Sequence, residues 1–351
     1  MVKKFKISAL FMSVALIAAI GTGCSTSQSQ PANAGSGAAS ESSASSAAST
    51  ISSAAEASAA SGKQLRVGFS QCQSSDPWRV AEIKSIKDAA ASHNVDLIYT
   101  DAGGNQAKQV SDIEDLIAQK PNYLVIDPLT EDGVVTALAD AKQANVKVIV
   151  IDRHAKGTAG EDFITYLGND SVWEGKAAAE WLVKLKNGKS NIVEITGTPG
   201  SSTEIDKAKG FRDGLQGNPD MKIIASQTGN YARADAQKVM MNIIQSKGKT
   251  FDTVFTHNDE EALGVIQALK SAGIKPTKDV TVIGGDGEKE AVQSIINGEM
   301  TMTVTNRNDF GPLAFDTIDK LVKGATVPTS IMQDNYVIDS KNAKEKVSTA
   351  F

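Results

Sequence analysis

The stretch Val146-Lys147-Val148-Ile149-Val150-Ile151-Asp152-Arg153 decides how this chain is read. A run of mostly β-branched apolar residues suits a strand covered on both faces, as strands of parallel sheets are. Asp152 and Arg153 then stand at the strand's carboxyl end, where open α/β sheets bind ligands. A carboxylate accepts hydrogen bonds, and a guanidinium donates several in a planar fork. Together they can grip neighbouring hydroxyls of a small polyol. The plainer alternative is an ion pair that caps the strand at the surface.

Outward from this strand, strand and helix patterns alternate in both directions. Upstream, 64–70, 95–100 and 123–126 read as strands, and 77–93, 106–119 and 133–144 as helices. Val80, Ile83, Ile86 and Ala90 share one face of the first helix. A short strand follows at 163–167. A second series has helices at 171–185, 204–216, 234–246, 260–272, 289–297 and 310–322. Its strands fall at 191–195, 222–226, 252–256, 280–283, 300–305 and 332–337. This alternation implies an α/β chain with mostly parallel sheets and helices on both faces, arranged as two lobes of similar pattern. No tandem repeat is visible.

The chain has 351 residues, which favours two domains over one. Formal net charge is −5, and without Lys3, Lys4 and Lys6 the rest carries −8. An acidic body argues against nucleic acid as a partner. Residues 1–23 read as an export signal: three lysines, an apolar core from Ile7 to Ile20, then Gly21-Thr22-Gly23. The core is shorter than the roughly 20 residues a membrane span needs. Cys24 follows at once, and Ile20-Gly21-Thr22-Gly23-Cys24 resembles a bacterial lipoprotein signal, with Cys24 as the lipidated residue. Gly21 stands where such signals usually carry Leu. Residues 24–62 form a Ser/Ala-rich tether in which Ile51 is the only large aliphatic residue. Such a segment cannot bury enough apolar surface to offset its ordering entropy. Cys72 is the only other cysteine, so an acylated Cys24 leaves no disulfide framework. Cys72 reads as a small filler.

Several strands end in side chains that can hydrogen-bond: Asp152-Arg153, His257-Asn258-Asp259, Asp286 and Asn306. Asp76 precedes Pro77 and reads as a helix N-cap. Trp78 can stack on the apolar face of a sugar ring or pack in the core. Tyr231, between Asn230 and Arg233, is a candidate second aromatic wall. Trp173 and Trp181 share nearly one helix face and read as packing residues. There is no phosphate loop: Gly197-Thr198-Pro199-Gly200 lacks the lysine and fits a tight strand-to-helix turn. His93, His154 and His257 show no metal spacing, and no Gly-x-Ser-x-Gly elbow occurs. Asp152 with Asp286 could form a hydrolase pair, but beside Arg153 they are better placed as hydroxyl acceptors. Neither an enzyme nor a metal or cofactor site is expected.

From about Lys63 onward the chain resembles the periplasmic sugar-binding proteins of ribose/galactose type, which feed ABC importers. The resemblance rests on Val67-Gly68-Phe69-Ser70-Gln71 with Trp78-Arg79, then Ile151-Asp152-Arg153, Glu194-x-x-Gly197, Gly210-Phe211, His257-Asn258-Asp259 and Asp286-Gly287. The set looks most like the galactofuranose-binding branch. The resemblance implies a type I periplasmic binding protein fold: two Rossmann-like lobes joined by three crossings, with the ligand in the cleft. Crossings would fall near Leu167–Asn169, Asn306–Asn308 and Met332–Asn335. The implied lobes are 63–167 with 307–332 and 168–306 with 333–351. Family ligand positions fall on Trp78, Arg79, Asp152, Arg153, Lys207, Tyr231, Asn258, Asp286 and Asn306, and Asp76 and Gly200 complete the candidate set. Two departures matter. Asp76-Pro77-Trp78-Arg79 replaces the Asn-Pro-Phe-Phe of ribose binders, and Lys207 stands where Arg is usual. A lysine is a point donor rather than a fork. A calcium loop of the glucose/galactose type is absent.

The expectation is a lipid-tethered, extracytoplasmic receptor, on a Gram-positive surface or in a periplasm. It captures a monosaccharide as a monomer, without cofactor, and delivers it to an ABC permease. A sensor presenting its ligand to a chemoreceptor or kinase could use the same body. A sugar-responsive regulator would need a DNA-binding helix-turn-helix before Gln64, where the Ser/Ala tract stands.

Overall fold

A computed structural model describes residues 64–351. The signal-like segment, Cys24 and the tether lie outside the described residues. The first series runs β1 (Arg66–Gln71), α1 (Pro77–Ser92), β2 (Asp96–Asp101), α2 (Gln106–Ala118), β3 (Tyr123–Ile126), α3 (Val135–Gln143), β4 (Lys147–Ile151) and β5 (Thr165–Asn169). The second runs α4 (Ser171–Lys186), β6 (Lys189–Thr196), α5 (Ser202–Gly214), β7 (Asp220–Thr228), α6 (Arg233–Lys247), β8 (Thr253–Thr256), α7 (Asp259–Ser271), β9 (Thr281–Asp286), α8 (Lys289–Ile296) and β10 (Met302–Thr305). The chain closes with α9 (Phe310–Val322), β11 (Ser330–Gln333), β12 (Val337–Asp339) and α10 (Ala343–Lys346).

Two six-stranded sheets result, ordered β11-β5-β4-β3-β1-β2 and β12-β10-β9-β8-β6-β7. All neighbours are parallel except β12, which runs antiparallel to β10. The deciding stretch is β4, and both its faces are covered. Ile149 and Ile151 pack with Val67, Phe69 and Ile86, whereas Val148 and Val150 pack with Leu124, Leu138 and Phe163. The second sheet repeats this: Val254 and Val282 join one core, Phe255 and Ile283 the other. The alternating side-chain directions of a strand thus feed two cores per sheet. This is the two-lobed fold of type I periplasmic binding proteins.

The chain passes between the sheets at three places. It leaves the first sheet after Asn169. It returns after Thr305, since Phe310, Phe315 and Ile318 of α9 pack against the first sheet with Val67 and Ile149. Between Gln333 and Val337 it crosses a third time. The single final strand expected at 332–337 is therefore two. β11 pairs with β5 in the first sheet and β12 with β10 in the second. Asp334-Asn335-Tyr336 breaks the run because it spans the gap between sheets. One residue of the expected α1 face is also misplaced: Val80 is exposed, and Arg79 and Glu82 are buried instead. Ionic partners inside the lobe, described below, draw them in.

Helices α4 and α5 lie backbone to backbone. A Cβ on Gly175 would stand 2.1 Å from the Lys207 carbonyl oxygen, and one on Gly210 would stand 1.9 Å from that of Val172. Only glycine permits this approach, and it brings Glu174 of α4 alongside Lys207 of α5.

Candidate functional site

The carboxyl ends of both sheets face a common cavity of about 330 Å³. Ten of the eleven candidate residues line it: Asp76, Trp78, Arg79, Asp152, Arg153, Lys207, Tyr231, Asn258, Asp286 and Asn306. Gln73 and Thr203, which the sequence did not single out, line it too. Gly200 does not. Its carbonyl instead accepts the Glu131 N–H at 3.1 Å, from the opposite lobe. The His154 N–H donates to Ser202 Oγ at 2.7 Å nearby. Two hydrogen bonds thus join the lobes beside the cavity.

On the first lobe, Asp76 both lines the cavity and caps α1, accepting the Arg79 N–H at 2.8 Å. Arg79 borders the cavity, but its guanidinium is engaged in a buried acidic nest. Its guanidinium donates to Glu82 at 3.0 Å, Asp127 at 2.5 Å and Asp152 at 2.7 Å. Cys72 Sγ donates to Asp127 at 3.3 Å, so this thiol serves the nest as well as filling space. Arg79 therefore fixes Asp152, and Arg153 does not, its Nε lying 3.9 Å from Asp152. Arg153 is 1% exposed, and it spends one nitrogen on the Leu129 carbonyl at 2.9 Å. Its Nε has no protein partner, and its guanidinium lies 5.6 Å from the centre of the Tyr231 ring. A surface cap is excluded by that burial. Trp78 presents a ring to the cavity while its indole N–H donates to the Asn306 carbonyl at 2.8 Å.

On the second lobe, Tyr231 follows β7, and its hydroxyl pairs with Thr203 Oγ1 at 3.0 Å. Asn258 caps α7 reciprocally with Glu261, and its amide donates to the Tyr231 carbonyl at 3.2 Å. Lys207 lines the cavity but directs its ammonium to the His257 carbonyl at 2.9 Å, to Glu174 at 3.2 Å and toward Asp286 at 3.8 Å. The Asp286 carboxylate, 8% exposed, has Lys207 as its ionic neighbour. Trp181 donates to Asp339 at 3.2 Å, and Trp173 is exposed.

Burial raises the buried acids. It lifts Glu82 and Asp286 well above the usual carboxylate range, Lys207 opposing it at Asp286. Asp127 and Glu174 are each pushed up to about 7, again chiefly by burial. Burial works against the Lys207 charge, but Glu174 and Asp286 more than offset it and hold the proton. The folded chain thus keeps protons on Asp127 and Glu174 at pH values where unfolded carboxyls, near 4, have lost them. Through these two groups stability falls as pH rises from about 4.5 to 7. Asp259, raised to about 6, and Glu261, raised to about 8, act the same way. His154 and His257, lowered by burial, act oppositely but are fewer. The ligand-free melting temperature is therefore expected to rise from pH 8 to pH 5. A fall over that range, followed by calorimetry, contradicts the assignment.

The supporting residues Glu82, Asp127 and Glu174 escaped sequence reasoning. Asp127 sits at the end of β3, and that strand-end position was the available signal. Glu82 and Glu174 lie mid-pattern on helices, where acids normally face water.

A two-lobed α/β chain with a polar, aromatic-walled cavity between its sheets defines a cleft-type binding protein. Residues 67–326 match the periplasmic binding protein domain family, and the chain belongs to that family. It is 35% identical over 278 residues to the galactofuranose-binding protein YtfQ of Escherichia coli (strain K12), covering 78% of this chain and 87% of that one. The ribose import binding protein RbsB of Bacillus subtilis (strain 168) is 30% identical over 276 residues, with coverage of 78% and 87%. Among solved structures, the arabinose ABC transporter's periplasmic binding component from Shewanella sp. ANA-3, bound to α- and β-L-arabinofuranose, aligns with a TM-score of 0.78. It is 33% identical and covers 81% of this chain and 95% of that one.

Proposed function

We propose that this chain is an extracytoplasmic solute-binding lipoprotein. It captures a monosaccharide, galactofuranose-like or another aldose, and delivers it unaltered to an ABC permease. The observation that carries this reading is the pairing of Arg153 with Asp286 across one buried cavity. Arg153 Nε is a donor without a protein partner, and the Asp286 carboxyl group, whose ionic neighbour Lys207 stands 3.8 Å away, has acceptor capacity to spare. A hydroxyl donates and accepts, so a polyol answers both groups. Trp78 and Tyr231 supply rings for the apolar face of a sugar. The furanose ring form is supported by two relatives, one named for galactofuranose and one bound to arabinofuranose. Both candidate anchors of this role, the signal at 1–23 and the lipid on Cys24, belong to the proposal. The partner is a permease, met by the closed form.

The test is a thermal-shift screen of the purified protein against pentoses, hexoses and furanosides. A true ligand at 100 times its dissociation constant stabilises by about 2.7 kcal/mol. For a domain pair of this size that is a rise of roughly 5 °C. Absence of any shift across the sugars, with a shift from another solute class, would overturn the reading.

A further inference from the structure

Glu174 touches no part of the cavity, yet it is buried to 2% exposure at the first turn beyond the first crossing. Burying a carboxylate costs solvation unless partners compensate, and its partners come from separate places. Oε1 accepts from Asn335 Nδ2, on the third crossing, at 2.9 Å. Oε2 accepts from Asn306 Nδ2, on the second, at 3.3 Å, and lies 3.2 Å from Lys207 Nζ. Asn306 Oδ1 in turn accepts from Asn169 Nδ2, on the first crossing, at 2.8 Å. One carboxylate therefore gathers all three crossings and the lysine that stands beside Asp286.

We propose that Glu174 is a positioning residue that couples occupancy of the cavity to the hinge. The proposal rests on the reading of the cavity as the sugar site. Glu174, together with the His257 carbonyl, holds Lys207 within reach of Asp286, and Glu174 is itself held by the crossings. A ligand hydroxyl on Asp286 thereby stabilises this arrangement of the crossings through Lys207 and Glu174, beside any contact it makes with Asn306 itself. Opening the crossings loosens Asp286 and releases the ligand.

The experiment measures association and dissociation rates of the best sugar from the screen, with hydrogen exchange of the ligand-free protein. Glu174→Gln places an amide donor where Asn306, Asn335 and Lys207 all donate. It is expected to raise the off-rate tenfold or more with the on-rate changed less than threefold. Exchange at the Arg307 and Tyr336 amides is expected to speed up. Glu174→Asp should recover part of the loss, and Glu180→Gln, exposed on the same helix, should change nothing. Should Glu174→Gln not fold, Asn335→Ala cuts the same carboxylate from the third crossing and must raise the off-rate likewise. An off-rate within twofold of wild type in the folded variant overturns the coupling. A wild-type protein that binds no sugar overturns instead the site reading on which the coupling rests.

Discussion

Arg153→Ala is expected to weaken sugar binding about 30-fold to several-thousand-fold while leaving most of the apo stability in place. Losing one charged hydrogen-bonding group in a desolvated site costs roughly 2–5 kcal/mol, and each 1.4 kcal/mol is about tenfold. The geometry sharpens the expectation. Arg153 does not hold Asp152, which Arg79 already grips at 2.7 Å, so its loss leaves no orphaned carboxylate. What disappears is the partnerless Nε and the guanidinium over Tyr231. The strand beneath keeps Val148, Ile149, Val150 and Ile151 in its two cores. Calorimetric titration of the variant beside its melting curve is the check. Affinity within threefold of wild type, with melting lower by several degrees, would make Arg153 a packing residue.

Gly210→Ala should damage stability and binding together. Its new methyl would lie 1.9 Å from the Val172 carbonyl oxygen, so α5 must move away from α4. Overpacking of this kind costs about 1–3 kcal/mol, a fall of roughly 2–6 °C in melting temperature. Lys207 lies one turn earlier on α5, so the same shift withdraws its ammonium from Glu174 and Asp286. Affinity is expected to drop about tenfold or more, because one buried charged partnership is worth roughly 1.5–3 kcal/mol. Lys209→Ala, exposed on the same helix, is the control. An unchanged melting temperature in Gly210→Ala would mean that the helix pair opens at little cost.

The two lobes were legible because a β-branched run such as Val146 to Ile151 has one comfortable environment, a strand with apolar cover on both sides. Strand-end residues were legible for the same reason: Asp152 and Asp286 stop runs that nothing else would stop. Residue 332–337 was misread because β11 and β12 are half-exposed edge strands, with little apolar pattern to mark the break between them. The role of Arg79 was hidden because its partners, Asp127 and Asp152, arrive from two other strands. Likewise a lysine at 207 reads as a free donor until Glu174, on another helix, is seen beside it. Local pattern reports burial; it does not report who shares the buried space.

The placement of α9 and β11 bears on how the protein is made. The first lobe takes Phe310, Phe315, Ile318 and Ile331 from segments that follow the whole second lobe in sequence. A nascent chain that has released β1 to β5 still lacks the helix that covers Val67 and Ile149 and the strand that closes the β5 edge. At about 5–20 residues per second, it spends many seconds without those pieces. The amino-terminal lobe therefore cannot settle as a finished unit while its own carboxyl segment is unmade. This ordering keeps the leading half pliable until the trailing end is available to lock it.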